Sequence, residues 1–421
     1  MDFFYRYKKI LMVVGFLAVV ILMAVALYYM FFASAPTSGT PAGNQAANTA
    51  STSANTLPGS GEGNGPNGTE TSTPGRLTTG EGGPGNGQPP ANNNTVVENN
   101  PHKTSEVTQG ESIGATAGSN GGVQYYNKSD GKFYSIASDG TITALSDQVF
   151  HDVQNVTWAP DKSKAILEYP DGTKIVYDFA AQKQVTLPKH WQDFGFSPNG
   201  SQIVMKSIGL DPDNRWLAVA NNDGSKAKTI EQVGENADSV IDSWSPNNQV
   251  IAMYTQGVDM NRQDVYFVGQ NNENFKSMTI EGRGFQPQWS PDGSHLLYSV
   301  YSTDTNLKPG LWVANAQGDQ IGTGRKSLDI ETWANKCTFA DANNLYCAVP
   351  DNLPEGAGLY PETAQNTTDQ LYAIDTRTGT KKLVSTPDGS YNMSNMIVSD
   401  DGSTLYFTDS NTQKIYKIKL K

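Results

Sequence analysis

Trp289-Ser290-Pro291-Asp292-Gly293 is the stretch whose reading decides the fold, because degraded copies of it recur through the C-terminal three quarters of the chain. The copies are Trp158-Ala159-Pro160-Asp161, Phe196-Ser197-Pro198-Asn199-Gly200, Trp244-Ser245-Pro246-Asn247, Phe339-Ala340-Asp341 and Val398-Ser399-Asp400-Asp401-Gly402. An aromatic or β-branched residue closes an apolar strand, and Pro presets φ at the first turn position. Asp or Asn follows, and Gly supplies a left-handed residue before the next strand. This is a repeated hairpin. The copies lie 38 to 59 residues apart, and four strands at a period near 40 to 50 residues mark propeller blades.

Working outward from the hairpins, each is followed by a short apolar strand and then by a strand with an aromatic near its middle. Seven of the latter are legible: Lys132 to Ile136, Ile175 to Tyr177, Trp216 to Val219, Val265 to Val268, Leu311 to Ala314, Leu371 to Ile374 and Ile415 to Ile418. Tight polar turns with Gly, such as Ser138-Asp139-Gly140 and Asn222-Asp223-Gly224, precede an outer strand. Outer strands are read at Thr141 to Ser146, Lys183 to Pro188 and Lys381 to Thr386, but the last unit reaches Lys421 without one. The first unit conversely lacks an anchored inner strand. Lys103 to Thr108 reads as an outer strand, and Ser112 to Thr116 as an inner one, so this segment fills both gaps and closes the ring, leaving no exposed sheet edge. The expectation is an all-β fold, a seven-bladed propeller over residues 103–421, with six blades if the degenerate units merge.

The Trp-Ser-Pro-Asp-Gly hairpin, followed by Leu311-Trp312-Val313-Ala314-Asn315-Ala316, resembles the TolB-like or WD40-like propeller repeat. That repeat occurs in periplasmic TolB proteins and in the propellers of prolyl oligopeptidase-type peptidases. The resemblance implies the fold and little about function, since such propellers serve as scaffolds, ligand binders and enzyme lids. The sequence departs from the pattern at Phe339-Ala340-Asp341-Ala342-Asn343, which has lost Pro-Asp-Gly, and in the Pro-, Glu- and Asn-rich insertion Asp351 to Gln370. That blade is expected to be the least regular.

Ahead of the repeats, Ile10 to Phe32 is an uncharged run of 23 residues, long enough to cross a ~30 Å hydrocarbon core. Arg6, Lys8 and Lys9 precede it, and Arg76 is the next basic residue other than histidine. The positive-inside rule therefore puts residues 1–9 in the cytoplasm and everything after Phe32 outside. A cleaved signal peptide is the rival reading, since Ala33-Ser34-Ala35 resembles a cleavage site. The run, however, exceeds the ~7 to 15 residues of a signal h-region, and Pro36 would follow the cut. An uncleaved signal anchor in the cytoplasmic membrane is expected. Residues 33–102 are Gly, Pro, Asn, Ser and Thr with almost no large apolar side chains, the composition of a disordered tether.

The two cysteines, Cys337 and Cys347, flank the degenerate hairpin. If Ala340 and Asn344 close its loop, the cysteines face each other as a cross-strand pair, where a disulfide is plausible and suits an oxidising compartment; two buried thiols are the alternative. Catalytic constellations are hard to assemble. The four histidines are His102, His151, His190 and His295, and the sequence contains no Gly-x-Ser-x-Gly elbow, His-x-x-x-His pair, phosphate loop or EF-hand. Asp211-Pro212-Asp213-Asn214 lacks the Gly and distal Glu of a calcium loop and reads as a turn. No metal and no cofactor are expected.

Partners should meet the outer-to-inner strand connections, which cluster at one mouth of a propeller. Those connections carry Phe150, His151, His190, Trp191, Arg283, Phe285, Trp333 and Tyr391, and aromatic and Arg side chains are enriched in binding hot spots. For any one of them, packing under a loop is the plainer reading; the set is the candidate surface. The formal net charge of −12 falls mostly on the propeller, which disfavours nucleic acid. The expected function is a membrane-anchored extracytoplasmic module of the cell envelope that binds a protein, peptide or glycan. The alternatives are a structural subunit of an envelope assembly and a propeller-type lyase or glycan-processing enzyme.

Overall fold

The hairpin turn is held by its own side chains. In the computed structural model, Ser290 Oγ donates to Asp292 Oδ1 (2.6 Å) and accepts from the His295 backbone N–H (2.9 Å), while Ser294 N–H donates to Asp292 Oδ1 (3.1 Å). Gly293 sits at φ 69°, where a side chain would also press on the neighbouring hairpin's Asn247 backbone. The same clasp recurs with Asn in place of Asp, Ser197 Oγ to Asn199 Oδ1 (2.8 Å) and Ser245 Oγ to Asn247 Oδ1 (2.7 Å), and again in Ser399 Oγ to Asp401 Oδ1 (2.6 Å). Each of these serines is buried, so its hydroxyl satisfies a backbone N–H that water does not reach.

The structure describes residues 21–23, 103–118 and 121–420. The chain divides into two compact units, Met1–Gly87 and Gln88–Lys421, and the account concerns the second. The expected membrane anchor, apart from Ile21, Leu22 and Met23, and the tether lie outside the described residues. Among the described residues, no helix is long and apolar enough to cross a membrane.

Seven four-stranded antiparallel sheets follow one another. After β1 (Thr104–Glu106), blade 1 is β2 (Ser112–Ala117), β3 (Val123–Asn127), β4 (Lys132–Ile136) and β5 (Ile142–Ala144). Blade 2 is β6 (Asn155–Trp158), β7 (Lys164–Glu168), β8 (Lys174–Asp178) and β9 (Lys183–Leu187); blade 3 is β10 (Trp191–Phe196), β11 (Gln202–Ile208), β12 (Arg215–Asn221) and β13 (Lys228–Gln232). Blade 4 is β14 (Val240–Asp242), β15 (Ala252–Gly257), β16 (Arg262–Val268) and β17 (Met278–Glu281); blade 5 is β18 (Arg283–Trp289), β19 (His295–Tyr301), β20 (Pro309–Asn315) and β21 (Lys326–Glu331). Blade 6 is β22 (Cys337–Phe339), β23 (Asn344–Pro350), β24 (Asp369–Asp375) and β25 (Lys381–Ser385); blade 7 is β26 (Met393–Val398), β27 (Thr404–Asp409) and β28 (Ile415–Lys419). The outer strand of blade 7 is β1, paired antiparallel with β28 through Thr104 and Ile418. The architecture is a seven-bladed propeller, and the six-blade alternative falls away.

Burial follows from that order. Each sheet is apolar on both faces, and each face is covered only by the next sheet. Tyr126 and Phe133 of blade 1 pack with Leu167 and Tyr177 of blade 2; Leu297 and Val313 of blade 5 pack with Leu345 and Cys347 of blade 6. The seventh such core joins Tyr406 and Ile415 of blade 7 to Ala115, Val123 and Tyr125 of blade 1. Blade 6, expected to be irregular, has a three-residue inner strand but a regular hairpin: Ala340 N–H donates to Asn344 O (2.8 Å), Cys337 opposes Cys347, and the two are disulfide-bonded with Cα atoms 4.0 Å apart.

The clasp has a pH consequence. Hydrogen bonds from Ser399 and Ser403 hold Asp401 at about 2, and those from Ser290 and Ser294 hold Asp292 below its ordinary value. A carboxyl depressed in the folded state contributes stability above its unfolded value of ~3.9, and that contribution is lost as pH falls towards the folded value. The D292N/D401N variant copies the native Asn199 and Asn247 turns. It should melt within about 2 °C of the parent at pH 7 and lose less Tm than the parent between pH 4 and pH 2; parallel Tm curves would refute this role.

Candidate functional site at the channel mouth

Because neighbouring strands alternate in direction, the second-to-third and outer-to-inner connections share one end of the ring, and the Ser-Pro-Asp-Gly turns occupy the other. The first end is the channel mouth, where all the candidate residues lie.

The structure distributes them rather than gathering them. Phe150 is buried in the core between blades 1 and 2, with its ring 4.7 Å from Tyr177 and its carbonyl accepting the Tyr126 hydroxyl at 2.5 Å. Trp191 fills the core between blades 2 and 3, and Phe285 that between blades 4 and 5. Trp333 packs with Leu353, Ala357 and Ala364 of the insertion, and Tyr391 lies against Phe407 and Tyr416 of blade 7. Phe150, Trp191, Phe285 and Tyr391 thus pack at the tops of inter-blade wedges, and Trp333 under the insertion. Sequence position alone could not separate this packing role from a contact role, because both favour large rings on connections. His151, His190 and Arg283 keep solvent access. His151 edges an open groove of about 560 Å³ with Asp152, Tyr169 and Asp171. His190 stands 6.4 Å from the Trp191 ring, and Arg283 Nη1 donates to the Asp259 carbonyl at 2.8 Å.

Sequence reasoning passed over a polar cavity between blades 5, 6 and 7. It is an open hollow of about 200 Å³ lined by Gln286, Trp333, Asn335, Lys336, Gln365 and Asn392 among others. One wall is the 3₁₀ turn Ala334–Lys336, whose Ala334 N–H donates to Ser299 Oγ of blade 5 (3.2 Å). The other is the blade 6 insertion, folded back at the 3₁₀ turn Pro361–Ala364 and pinned to blade 5 by Gly356 N–H to Asn306 O (2.9 Å) and Gly358 N–H to Leu307 O (2.7 Å). Gly358 is required there, since an added Cβ would stand 2.5 Å from the Tyr301 side chain.

Behind the cavity sits a buried ion pair. Lys336 Nζ lies 2.7 Å from Asp369 Oδ2 and donates to Asn392 Oδ1 at 2.7 Å; the Lys side chain is 9% exposed and the Asp 0%. Asn392 is fully engaged, its Nδ2 donating to the carbonyls of Ala364 (3.1 Å) and Gln365 (2.9 Å). Asp369 Oδ2 also accepts the Met393 N–H (2.6 Å), while Oδ1 has no partner among the described residues. Burial raises the Asp369 carboxyl above its ordinary range, against the pull of Lys336. The clue in the sequence was the insertion itself, which ends at this aspartate.

Two other features frame the choice of site. At the opposite end, where blade 6 lacks Pro-Asp-Gly, an open groove of about 680 Å³ runs between blades 6 and 7 past Asp341, Asp375, Lys382, Asp400 and Asp401. In blades 3 and 4, Lys206 pairs with Asp193 at 2.8 Å, and burial pushes the nearby Asp242 carboxyl well up. Among the described residues, no cluster of three or more His, Cys, Asp or Glu side chains is placed to hold a metal ion.

No protein-family model matches the sequence, and no curated protein does. Solved structures share its shape. The Myceliophteria thermophila Cps50 (Swd1) β-propeller domain superposes with a TM-score of 0.50 at 11% identity, covering 76% of this chain and 100% of that one. An oligogalacturonate lyase in complex with manganese gives 0.48 at 13% identity over 76% and 93% of the two chains. The tricorn protease gives 0.48 at 12% over 74% of this chain, which spans 33% of that protease chain. At such identities the likeness is one of fold, and the chain is a seven-bladed β-propeller protein.

The buried pair predicts a coupled response. Lys336→Met strands the Asp369 carboxyl and should cost about 3–5 kcal/mol, whereas Lys336→Met with Asp369→Leu should recover most of that loss. The carboxyl of a raised Asp binds its proton more tightly folded than unfolded, so stability falls as pH rises from ~3.9 to the folded value. Without Lys336 that window widens upward, and the deficit of the single variant should grow from pH 4 to pH 7 in denaturant titrations. A pH-independent deficit would argue against the pair.

Proposed function

We propose that the chain is a membrane-anchored, extracytoplasmic binding module of the TolB-like propeller type, which presents its channel mouth to a protein of the cell envelope. One observation carries the reading: beside Val149, large apolar side chains stand exposed on the mouth connections of blades 3, 4 and 6. They are Leu210, Val258, Met260, Leu359 and Tyr360. Such side chains at loop tips contribute nothing to the inter-blade cores, and large apolar residues on exposed connections are candidates for contact with a partner.

The rim carrying them is braced. Asn261 Nδ2 donates to Thr303 Oγ1 (2.7 Å) and Thr303 N–H to Asn261 Oδ1 (3.0 Å), joining blades 4 and 5, and the insertion is pinned to blade 5 as described. A braced surface loses little conformational entropy on binding. Asp211, Asp213, Glu355 and Glu362 stand on the same connections, and Asp304 on the adjoining one of blade 5. The partner face that complements this rim is therefore apolar with a basic surround.

The uncharged run Ile10 to Phe32, with Arg6, Lys8 and Lys9 before it, supports an N-in anchor in the cytoplasmic membrane. Residues 33–102 would act as the tether. The Cys337–Cys347 disulfide suits an oxidising compartment beyond that membrane.

Two measurements test this. Full-length protein bearing a photo-crosslinking residue at Met260 should capture a discrete partner in its native membrane. Leu210→Ser/Tyr360→Ser should abolish capture with Tm unchanged within about 2 °C. Capture that persists in the double variant would reject the rim. Separately, neither cysteine should react with a thiol reagent in membranes lysed without reductant, and both should react after reduction and unfolding; free thiols before reduction would reject the location.

A further inference from the structure

The wedge between blades 3 and 4 lacks the ring that closes its neighbours at the mouth. Trp191 fills the wedge on one side and Phe285 that on the other. Here the connection is the 3₁₀ turn Gly234–Ser239, and it and its flanks bury only Val233, Ala237 and Val240. Trp244 belongs to this core too, but on the hairpin turn at the opposite end. A hollow of about 330 Å³ is left, within the ~300 to 1,000 Å³ of small-molecule sites.

Its apolar lining includes Leu217, Val233 and Val240, all buried. Tyr254 of β15 and Tyr266 of β16 oppose each other across the strands, with ring centroids 5.8 Å apart and 33° between their planes. The outer strand β17 pairs no further than Met278 opposite Val265, so no strand flanks Tyr266, which is 37% exposed. One charged side chain lines the hollow, Glu231 of β13, opposite Leu217 on the same blade face. Its carboxylate is exposed and has no hydrogen bond or ion pair among the described residues. Lys206, two strands away on that face, is already paired with Asp193.

Two aromatic rings and a carboxylate on one opening attract positive charge, the rings through their negative π-faces and Glu231 by Coulomb attraction. A neutral ligand leaves the carboxylate unused, and an anion is repelled by it. We infer that this hollow binds a small organic cation, an amine or quaternary ammonium joined to a single ring. The ring lies among Leu217, Val233 and Val240, and the charged nitrogen at Glu231 and Tyr266. The ligand's ring thus takes the place that aromatic side chains hold in the neighbouring wedges. None of the five apolar rim residues lines the hollow, so the site stands or falls independently of the protein partner.

The test is isothermal titration calorimetry on the full-length chain in a maltoside detergent. Benzylamine and benzyltrimethylammonium serve as cations, benzyl alcohol as the neutral counterpart and benzoate as the anion. At least one cation should bind with a Kd of about 0.1–1 mM, at least fivefold more tightly than benzyl alcohol, and benzoate should not bind. Glu231→Gln, at an exposed position that spares the fold, should weaken the cation about threefold or more and remove most of its salt dependence between 50 and 500 mM. Val233→Phe supplies the missing ring and should abolish binding of cation and alcohol alike. Tyr266→Leu, also at an exposed position, should weaken the cation about threefold or more and keeps the aromatic contact testable if Val233→Phe does not fold. Capture through Met260 should be unaltered in Glu231→Gln. The inference is overturned if neither cation binds, if benzyl alcohol or benzoate binds as tightly, if a folded Val233→Phe still binds, or if Glu231→Gln and Tyr266→Leu both bind as the parent does.

Discussion

Everything in this propeller depends on burying both faces of every sheet against a neighbour. A four-stranded sheet with apolar residues on each side is not stable alone, and a row of such sheets would leave two bare faces at its ends. Bending the row into a ring removes both ends, and the core of Tyr406 and Ile415 against Val123 and Tyr125 is the contact that does so. Hydrogen bonding of β1 to β28 secures that contact by tying the start of the repeat region to its end. The large rings at the channel mouth follow from the same constraint. Blades splay outward from the axis, and the wedges between them are filled by Phe150, Trp191 and Phe285.

The hairpin clasp works at a smaller scale and solves a different problem. A tight turn leaves backbone N–H groups pointing inward, and a buried Ser hydroxyl satisfies one while the Asp or Asn beside it orders the rest. Asp and Asn alternate freely between blades because the clasp needs only an acceptor oxygen there. Blade 6 lost the motif and has instead a disulfide across its hairpin. A covalent link restricts the unfolded chain where local turn chemistry no longer does.

The largest departure from the regular fold lies where the repeat is broken. The insertion between β23 and β24 brings Leu359 and Tyr360 to the rim, supplies Pro361 and Gln365 to the polar cavity, and runs directly into Asp369. A blade that departs from its neighbours can host a site without weakening the ring, since the strands carrying the inter-blade packing are unchanged.

The sequence by itself determined the all-β class and the repeat, and favoured seven blades over six; the strand pairing decided between them. Turn chemistry is local, and strands such as Leu311 to Ala314 or Ile415 to Ile418 declare themselves through apolar and aromatic residues close together in the chain. Only the tertiary structure decided which side chains face solvent. For Phe150 and Trp191 the sequence left packing, the plainer reading for each alone, beside a shared contact surface, and the wedge between blades absorbs both. Gln286, Lys336 and Asn392 carry no motif and come from three different blades. Their meeting depends on how the 3₁₀ turn Ala334–Lys336 and the folded-back insertion pack across the ring, a matter of long-range geometry that no local window of residues encodes.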